Sequence, residues 1–424
     1  MQKPKGTYDI YGDRAEEMLY LKKLLEALMD KYNAHYIETP IFEAGQLFHR
    51  EDFATTDMVN KETYDFKDRG DRLLTLRPEG TAGVVRSIIE NKLYINTPLK
   101  LWYMGPMFRY ERPQAGRHRQ FYQFGVEVFV VESAIMDAEV ISMASNLFNI
   151  LGLKGIKVKI NTLGDKASRD AYRTALLNYF KPYLNDLCED CQNRYEKNPL
   201  RILDCKVDSD KDIMKNAPKI TDYLNEESKK HFEDVKKYLD ALNIEYTVSE
   251  NLVRGLDYYT HTVFEVEADI KDFGSQNVLA GGGRYDNLVE SVGGPKMPGV
   301  GFAIGIERLL EALHSENIDI KEKKELDVYM FKAEDADSDY VLNLANALRM
   351  NGFNIEMDYA SKSFKSNFKK ADDLKAKYII IIGKEEMENN TLTVKNNQTK
   401  EEYKVKVEDI INFLDEKLGD KSED

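Results

Sequence analysis

A pair of apolar segments, residues 99–109 and 121–131, places the strongest constraint on the fold. Both segments are rich in aromatic and β-branched residues, and the charged stretch ERPQAGRHRQ joins them. This pattern predicts a long antiparallel β-hairpin. Gln123, Gly125 and Glu127 alternate along the second segment, so they face the same side of the predicted sheet.

The chain has 424 residues, which is too long for one compact core and fits two or three domains. We predict a core in two parts, residues 1–166 and 246–320, interrupted by a helix-rich, highly charged insertion at 167–245. The charged stretch NIDIKEKKEL lacks periodicity and indicates a linker. Residues 326–424 alternate in βαβαβ order, which is typical of a small independent α/β domain.

Composition limits the binding partners and the cellular compartment that we expect for the protein. The formal net charge of −14 argues against a protein coated in nucleic acid, although a local basic patch stays compatible with it. No apolar run approaches the length of about 20 residues that a membrane helix needs. The start, MQKPKGTYDIYG, lacks the apolar core of a secretory signal, and three Cys fit a reducing compartment. We therefore expect a cytoplasmic protein that does not enter a membrane.

Several common catalytic patterns are missing from the sequence. It contains no P-loop, HExxH pair or GxSxG elbow, and the glycines of GVGFAIG miss the dinucleotide spacing. What remains is a distributed set of arginines: Arg109, Arg112, Arg117, Arg119, Arg254, Arg284 and Arg308. Each one alone would most often be a solvated or ion-paired surface residue. Because a guanidinium stays charged and makes bidentate bonds to phosphate oxygens, such arginines could hold a nucleotide without a Gly-rich loop.

Five ordered segments resemble one enzyme family. FRYERPQAGRHRQFYQFGVEVF is similar to motif 2 of class II aminoacyl-tRNA synthetases, GVGFAIGIERL to motif 3, and the helix leading into IETPIF, with Pro40, to the dimer-forming motif 1. LVRGLDYYTHTVFEV and GGGRYDNL resemble the two peptides of the histidyl-tRNA synthetase family, and TLRPEGTA belongs to the same pattern. The resemblance implies an α+β fold with an antiparallel-sheet catalytic core, a helical insertion and a C-terminal α/β anticodon-binding domain.

The same resemblance implies an activity and its reactants. The protein would ligate histidine to tRNA(His) in two steps, ATP-dependent formation of histidyl-adenylate and transfer to the tRNA 3′ end. ATP would be a substrate, Mg²⁺ would bridge its phosphates, and the protein would be a homodimer. Two alternatives stay open: a non-catalytic paralogue such as the regulatory subunit of ATP phosphoribosyltransferase, and an RNA-binding sensor built on this fold. The arginines and the roughly hundred residues after the linker favour the enzyme.

Residue roles are likewise implied by the resemblance. Arg109 and Arg254 would act in catalysis by contacting the ATP α-phosphate from opposite sides. The ATP site would comprise Arg109, Glu111 at the adenine end, Arg117 and Arg308 at the γ-phosphate, and Arg254. The histidine site would comprise Glu79, Thr81 and Gln123 at the ammonium and carboxylate ends, with Glu127, Tyr258, Tyr259 and Tyr285 around the imidazole. Arg112 and Gln114 would approach the tRNA acceptor end.

A basic segment stands out in the last domain. KSFKSNFKKADDLKAK carries six lysines against two aspartates, a local charge of +4 in an otherwise acidic domain. Such a run is often only a solvated helix face, but its position matches the family's anticodon-binding domain, so we expect contact with the tRNA anticodon arm. Phe364 and Phe368 lie four residues apart, which indicates a hydrophobic helix face.

The three cysteines invite the question of a metal. Cys188 and Cys191 form a CxxC pair, and Cys205 follows in the same predicted insertion. A structural zinc usually needs a fourth ligand, and the sequence offers no obvious one nearby, since His231 is distant. We therefore expect three ordinary thiols and no metal.

Overall fold

The computed structural model describes residues 1–50, 59, 61–95, 98–113, 116–205, 207–253, 258–268, 270, 277–321, 325–333, 336–360 and 362–419. The chain divides into two compact units, Met1–Lys321 and Glu322–Asp424. No helix in the described ranges is long and apolar enough to cross a membrane.

The strands are β1 His35–Tyr36, β2 Phe42–Ala44, β3 Tyr64–Lys67, β4 Leu73–Leu76, β5 Leu99–Phe108, β6 Gln120–Phe129, β7 Ile156–Thr162, β8 Tyr246–Val248, β9 Thr260–Ala268, β10 Val278–Arg284, β11 Gly299–Gly305, β12 Val328–Lys332, β13 Ile355–Met357, β14 Tyr378–Ile382, β15 Thr391–Asn396 and β16 Glu402–Lys406. The helices are α1 Asp13–Lys31, α2 Thr81–Glu90, α3 Ala134–Ile150, α4 Lys166–Phe180, α5 Glu189–Lys197, α6 Asp212–Lys215, α7 Glu226–Ala241, α8 Leu288–Ser291, α9 Ile306–Ser315, α10 Ser338–Met350, α11 Phe364–Asp373, α12 Lys384–Glu388 and α13 Ile410–Leu418. Short 3₁₀ turns connect several of them.

The first unit is built on an eight-stranded sheet, as formed by the described residues, in the order β1-β5-β6-β11-β10-β9-β7-β8. Its two outermost pairs, β1–β5 and β7–β8, are parallel, and all inner pairs are antiparallel. β5 and β6 pair along their whole length from Leu99↔Phe129 to Phe108↔Gln120. The predicted hairpin and the predicted antiparallel-sheet core are therefore confirmed.

The two faces of this sheet have different functions in the fold. Phe124, Val126 and Val128 point into a core that α1, α3, α7 and α9 cover with residues such as Leu25, Ile141, Leu239 and Leu309. Gln123, Gly125 and Glu127 lie on the opposite face, because neighbouring residues of a strand alternate between faces. That opposite face carries α2 and a cluster of buried tyrosines. It is the face on which a functional site can form.

A charged network is buried between the sheet and two helices. Arg284 of β10 forms a bidentate ion pair with Asp137 of α3, and both side chains are at most 1% exposed. His231 of α7 lies 2.7 Å from Oδ2 of Asp137, and the Thr262 hydroxyl donates to the same atom at 2.6 Å. Burial alone would raise the pKa of Asp137, but Arg284 and His231 outweigh it and hold that pKa below its usual range. Arg284 is therefore a buried structural residue of this network.

The helical region after β7 contains two differently packed parts. The segment from α4 to the turn Ile220–Tyr223 has a small core of its own, which includes Tyr172, Leu176, Phe180 and Met214. α7 instead packs onto α3, and its Phe232, Val235 and Leu239 join the core of the large sheet. The predicted α+β character with a helix-rich insertion is confirmed, whereas the predicted boundaries of four separate parts stay a proposal.

The second unit contains a five-stranded sheet within its described residues, in the order β13-β12-β14-β15-β16. β12 pairs in parallel with both β13 and β14, which confirms the predicted βαβαβ order. The antiparallel strands β15 and β16 and the helix α13 were not predicted. Phe364 and Phe368 of α11 contact the ring of Phe331 at 5.2 and 5.5 Å between centroids, so they share one hydrophobic helix face as the spacing indicated, with Phe364 still 47% exposed.

Candidate active site

Two adjoining cavities open on the face of the large sheet opposite to its helical core. The smaller one has a volume of about 160 Å³, and Glu79, Thr81, Glu127 and three tyrosines line it. The larger one, of about 260 Å³, is lined by arginines. Arg109, Gln123, Gly281 and Ala303 line both cavities. A ligand in one cavity would therefore meet a ligand in the other at a shared wall.

Glu127 forms the polar floor of the smaller cavity and is 1% exposed. Its Oε1 accepts hydrogen bonds from the hydroxyls of Thr81 at 2.6 Å and Tyr103 at 3.3 Å, and the Tyr285 hydroxyl donates to Oε2. Burial raises the pKa of Glu127 to about 8, and the nearby Glu79 adds to the effect, although the hydrogen bonds oppose it. This carboxyl group can therefore take up or release a proton near neutral pH as a ligand arrives.

Two glycines make room for this floor. A Cβ atom at Gly125 would come within 2.3 Å of the Tyr103 ring, and one at Gly301 would come within 2.1 Å of Oε2 of Glu127. Such distances lie far inside van der Waals contact. Glycine at position 125 therefore leaves space for the Tyr103 ring, and glycine at position 301 leaves space for the Glu127 carboxyl group.

Glu79 organises the edge of the cavity. Its carboxylate accepts the backbone N–H groups of Thr81 and Ala82, both at 2.8 Å, so it caps the start of α2. The backbone N–H of Gly80 donates to Oε1 of Gln123 at 3.3 Å. Burial raises the pKa of Glu79, and the hydrogen bonds from α2 and the charge of Arg109 counteract it. The carboxyl group of Glu79 is thus held beside the junction of the two cavities.

Three tyrosines form the wall of the smaller cavity. Tyr258, Tyr259 and Tyr285 are 6%, 6% and 1% exposed, and their ring centroids lie 4.8 to 6.4 Å apart. Arg169 of α4 donates to the backbone oxygen of Tyr259 at 2.7 Å, which ties this wall to the helical region. The arrangement suits a flat polar ring, because aromatic edges enclose it while Glu127 supplies an acceptor.

Three arginines line the larger cavity together with the acidic residues Glu111 and Glu307. Arg109 and Arg117 approach opposite oxygens of Glu111 at 3.9 and 3.5 Å, and Arg308 donates to the backbone oxygen of Val278 at 2.9 Å. Burial lowers the pKa of Arg308, and the charges of Arg117 and Arg109 lower it further. Several guanidinium groups that repel one another around one cavity form a site whose charge a polyanion would neutralise.

Comparison with known proteins agrees with this geometry. Residues 6–309 match the family model of histidyl-tRNA synthetase, and residues 318–417 match that of an anticodon-binding domain. A histidine–tRNA ligase from Bacillus licheniformis is 49% identical over 413 residues, which cover 97% of each chain. The chain belongs to the histidyl-tRNA synthetase family.

Solved structures support the same fold. The structure of apo histidyl-tRNA synthetase from S. aureus aligns with a TM-score of 0.83 at 44% identity, covering 98% of this chain and 99% of that one. A structure described as an ATP phosphoribosyltransferase regulatory subunit/histidyl-tRNA synthetase from Bacillus halodurans aligns with a TM-score of 0.63 at 19% identity, covering 90% and 98%. At that identity the second likeness concerns the fold alone.

Most of the predicted site residues line one of the two cavities. The smaller cavity is lined by Glu79, Thr81, Gln123, Glu127, Tyr258, Tyr259 and Tyr285, and the larger by Arg109, Glu111, Arg117 and Arg308. Arg112 is exposed on the loop between β5 and β6. Arg254 and Gln114 lie outside the described residues.

Sequence reasoning missed several residues of the site. Tyr103 sits opposite Gly125 in the β5–β6 register, so the alternation along both strands could have found it. Phe121 stacks beneath Arg109, whose guanidinium lies 5.2 Å from the ring centroid, and His118 lines the larger cavity. Arg284, one of the arginines that suggested phosphate binding, belongs to the core network instead. An isolated Arg in a sequence does not reveal which acid will pair with it.

The three cysteines also lie together. Cys188, Cys191, Cys205 and Asp208 bring one ligand atom each to within 4.8 Å of one another. Asp208 supplies a fourth donor, which the spacing of the cysteines did not indicate.

Proposed function

We propose that this protein ligates histidine to tRNA(His) in two steps, through histidyl-adenylate. The observation that carries the proposal is the pair of adjoining cavities that share Arg109 and Gln123. The smaller cavity, of about 160 Å³, places the buried Glu127 beside three tyrosines, so it suits one amino acid with a polar ring. The arginine-rich cavity suits a triphosphate. The shared wall is where a carboxylate could meet an α-phosphate.

Histidine is assigned to the smaller cavity. Glu127 would accept an N–H of the imidazole, with Tyr258, Tyr259 and Tyr285 around the ring. Glu79, Thr81 and Gln123 would bind the ammonium and carboxylate ends. A side chain without an N–H donor would leave the buried Glu127 unpaired in its ionised form, which opposes binding of other amino acids.

ATP is assigned to the larger cavity. Arg109 would contact the α-phosphate, Glu111 the adenine end, and Arg117 and Arg308 the γ-phosphate. Arg254 would act on the α-phosphate opposite Arg109, as its RGLDYY context indicates. Mg²⁺ would be held by phosphate oxygens and water, the mode that Mg²⁺ prefers, and the lining of this cavity includes the carboxyl groups of Glu111 and Glu307.

Adenylate formation depends on how the two reactants are positioned and does not need a side chain that acts as a base. The histidine carboxylate attacks the α-phosphorus, a C–O–P link forms, and the bond to pyrophosphate breaks. The enzyme would accelerate this step by holding the two reactants in line and by stabilising negative charge on the phosphorus oxygens with guanidinium groups. A ribose hydroxyl at the tRNA 3′ end then attacks the activated carbonyl, and AMP departs.

Two surfaces are assigned to tRNA(His). Arg112 and Gln114, on the loop between β5 and β6, would approach the acceptor end. In the second unit, the exposed Lys365, Lys369 and Lys370 of α11 would contact the phosphates of the anticodon arm. Lys377 is partly neutralised by Glu325 at 3.1 Å, so it would contribute less.

The remaining parts of the proposal rest on the family. The protein would be a cytoplasmic homodimer, with motif 1 at the dimer interface. Its parts would be a core at 1–166 and 246–320, an insertion at 167–245 and an anticodon-binding domain at 326–424.

ATP–pyrophosphate exchange with each of the twenty amino acids tests this proposal. Exchange with histidine alone, followed by charging of a tRNA(His) transcript, is the expected result. The second candidate is a non-catalytic regulatory paralogue, which would bind no amino acid for activation. Lack of exchange with every amino acid would favour that paralogue, and exchange with a different amino acid would overturn the substrate assignment.

A further inference from the structure

The donor atoms of Cys188, Cys191, Cys205 and Asp208 all lie within 4.8 Å of one another, close enough to surround one metal ion. The sulfur atoms of Cys188 and Cys205 lie 3.6 Å apart, and the Cys205 sulfur lies 3.7 Å from Oδ2 of Asp208. Zinc–sulfur bonds of about 2.3 Å and a zinc–oxygen bond of about 2.1 Å give tetrahedral edges of about 3.8 and 3.6 Å. The observed separations agree with both edges. A disulfide would require about 2.05 Å between two sulfurs, and all three cysteines are unbridged.

The four donors come from two short pairs with the same spacing. Cys188 and Cys191 are three residues apart, as are Cys205 and Asp208. Each pair lies within one turn of chain, which is the ligand arrangement typical of structural zinc sites. Cys188 is the N-cap residue of α5, so this pair lies where that helix begins.

Asp208 is oriented by groups around the cluster. Nζ of Lys211 lies 2.7 Å from Oδ1, and the backbone N–H of Cys188 donates to Oδ2 at 2.9 Å. Lys211 also donates to the backbone oxygen of Asp186, so its own position is fixed. These contacts aim Oδ2 at the sulfurs and supply a positive charge that partly balances four anionic donors around a divalent cation. Outer contacts of this kind normally orient metal ligands.

The surroundings explain why a metal would stabilise this part of the fold. Cys191, Cys205 and Asp208 are 0%, 5% and 0% exposed, and the half-buried Cys188 faces the surface. The chain around them runs through short elements, α5, α6 and the turns Lys181–Asp186 and Pro199–Ile202, over a small hydrophobic core. A small core with short helices gains more from a cross-link between distant segments than a large core does.

We propose that the protein binds one Zn²⁺ through the thiolates of Cys188, Cys191 and Cys205 and the carboxylate of Asp208. The site is closed by four protein ligands, so its function is structural. Its donors line neither of the two cavities of the active site, so the inference stands independently of the proposed ligase activity. It replaces the expectation of three ordinary thiols that the sequence suggested.

Metal analysis of the full-length protein tests the proposal. Protein purified under reducing conditions, reconstituted with Zn²⁺ and freed of excess metal should retain one zinc per chain. Replacement by Co²⁺ should give the ligand-field and sulfur charge-transfer absorption of a tetrahedral thiolate site, and the three thiols should react with a thiol reagent only after a chelator is added. None of these measurements needs a variant, so misfolding cannot obscure them.

Variants identify the fourth ligand. Asp208→Asn should weaken zinc binding at least tenfold in competition with a chelator, whereas Asp208→Cys should retain a stoichiometric ion. Asp212→Asn is the matched control, because Asp212 lies in the same segment but is 90% exposed, and it should bind zinc normally. Absence of bound metal after reconstitution would overturn the proposal. So would a disulfide between any two of these cysteines in protein isolated without reductant, since it would indicate a redox pair.

Discussion

The Thr81 hydroxyl donates a hydrogen bond to Oε1 of Glu127 at 2.6 Å, and this contact joins the start of α2 to the middle of β6. Glu79 caps the same helix. One turn of chain therefore holds Glu79 and Thr81, which are assigned to the ammonium and carboxylate ends of histidine, and Thr81 links this turn to Glu127 at the imidazole end. Replacing one member of this group should therefore affect histidine binding more than the fold.

Glu127→Gln is expected to raise the KM for histidine by about 5- to 150-fold while the KM for ATP stays within a few-fold of wild type. The change removes the anionic acceptor for the imidazole N–H, and the loss of one buried hydrogen bond costs about 1–3 kcal/mol. Steady-state pyrophosphate exchange measures both constants. Glu132→Gln is the control, since Glu132 is exposed just beyond the same strand. Equal increases in the two KM values would contradict the assignment of Glu127.

Histidine binding should strengthen as the pH rises from 7 to 8 and level off above that. Because the pKa of Glu127 is raised to about 8 in the ligand-free protein, binding to the ionised carboxylate must release a proton below this pH. The dissociation constant should fall by up to about tenfold per pH unit in this window, where the free imidazole is already neutral. Calorimetry in buffers of different ionisation enthalpy would count the proton. A flat profile, or the same slope in Glu127→Gln, would disprove this origin.

Arg308→Ala should slow histidyl-adenylate formation by about 10²- to 10³-fold, the usual loss when one preorganised charge-stabilising donor is removed. Histidine binding without ATP should be unchanged, because Arg308 lines only the larger of the two cavities among the residues that the structure describes. Single-turnover pyrophosphate release gives the rate, and calorimetry gives the affinity. Arg72→Ala serves as control, since Arg72 is 80% exposed and pairs with the nearby Asp68. A normal rate of adenylate formation in Arg308→Ala would show that this arginine does not contribute to the reaction.

Asp137→Asn should destabilise the first unit by about 3–5 kcal/mol, because it leaves the buried Arg284 without its anionic partner. Glu139→Gln on the same helix should cost at most about 1 kcal/mol, since its pair with Lys100 is partly exposed. Urea denaturation followed by tryptophan fluorescence compares them.

The pH dependence of the same pair has a definite sign. The folded pKa of Asp137 lies below its unfolded value, so its stabilisation is complete above about pH 4 and is lost as the pH falls through the folded pKa. Asp137→Asn should lack this acid-dependent part. Equal stability of the two variants at neutral pH would show that the network contributes little.

Reversing the charges of Lys365, Lys369 and Lys370 to Glu should weaken tRNA(His) binding about tenfold or more and reduce its salt dependence. Histidine-dependent pyrophosphate exchange should be unaffected, because that reaction does not involve tRNA. The matched control reverses Lys384, Lys404 and Lys406, three exposed lysines on other elements of the same unit. Equal loss of tRNA affinity in both triple variants would indicate only a general charge effect.

Local patterns predicted the fold well, and contacts between distant residues explain where prediction ended. The β5–β6 hairpin, the alternation of Gln123 and Glu127 and the βαβαβ order follow from periodicity within single segments. The antiparallel strands β15 and β16 alternate polar and apolar residues, so this local pattern could have predicted them but was not used. Tyr103 beneath Gly125 depends on the register between two strands. The pairing of Arg284 with Asp137 spans 147 residues, which no local pattern can indicate.

The structure of the protein with a non-hydrolysable histidyl-adenylate analogue tests the central claim most directly. The account predicts that the imidazole lies against Glu127 between Tyr258, Tyr259 and Tyr285, with the group that replaces the α-phosphate within hydrogen-bonding distance of Arg109. An imidazole bound outside the smaller cavity, or a nucleotide bound away from the arginines of the larger one, would contradict it.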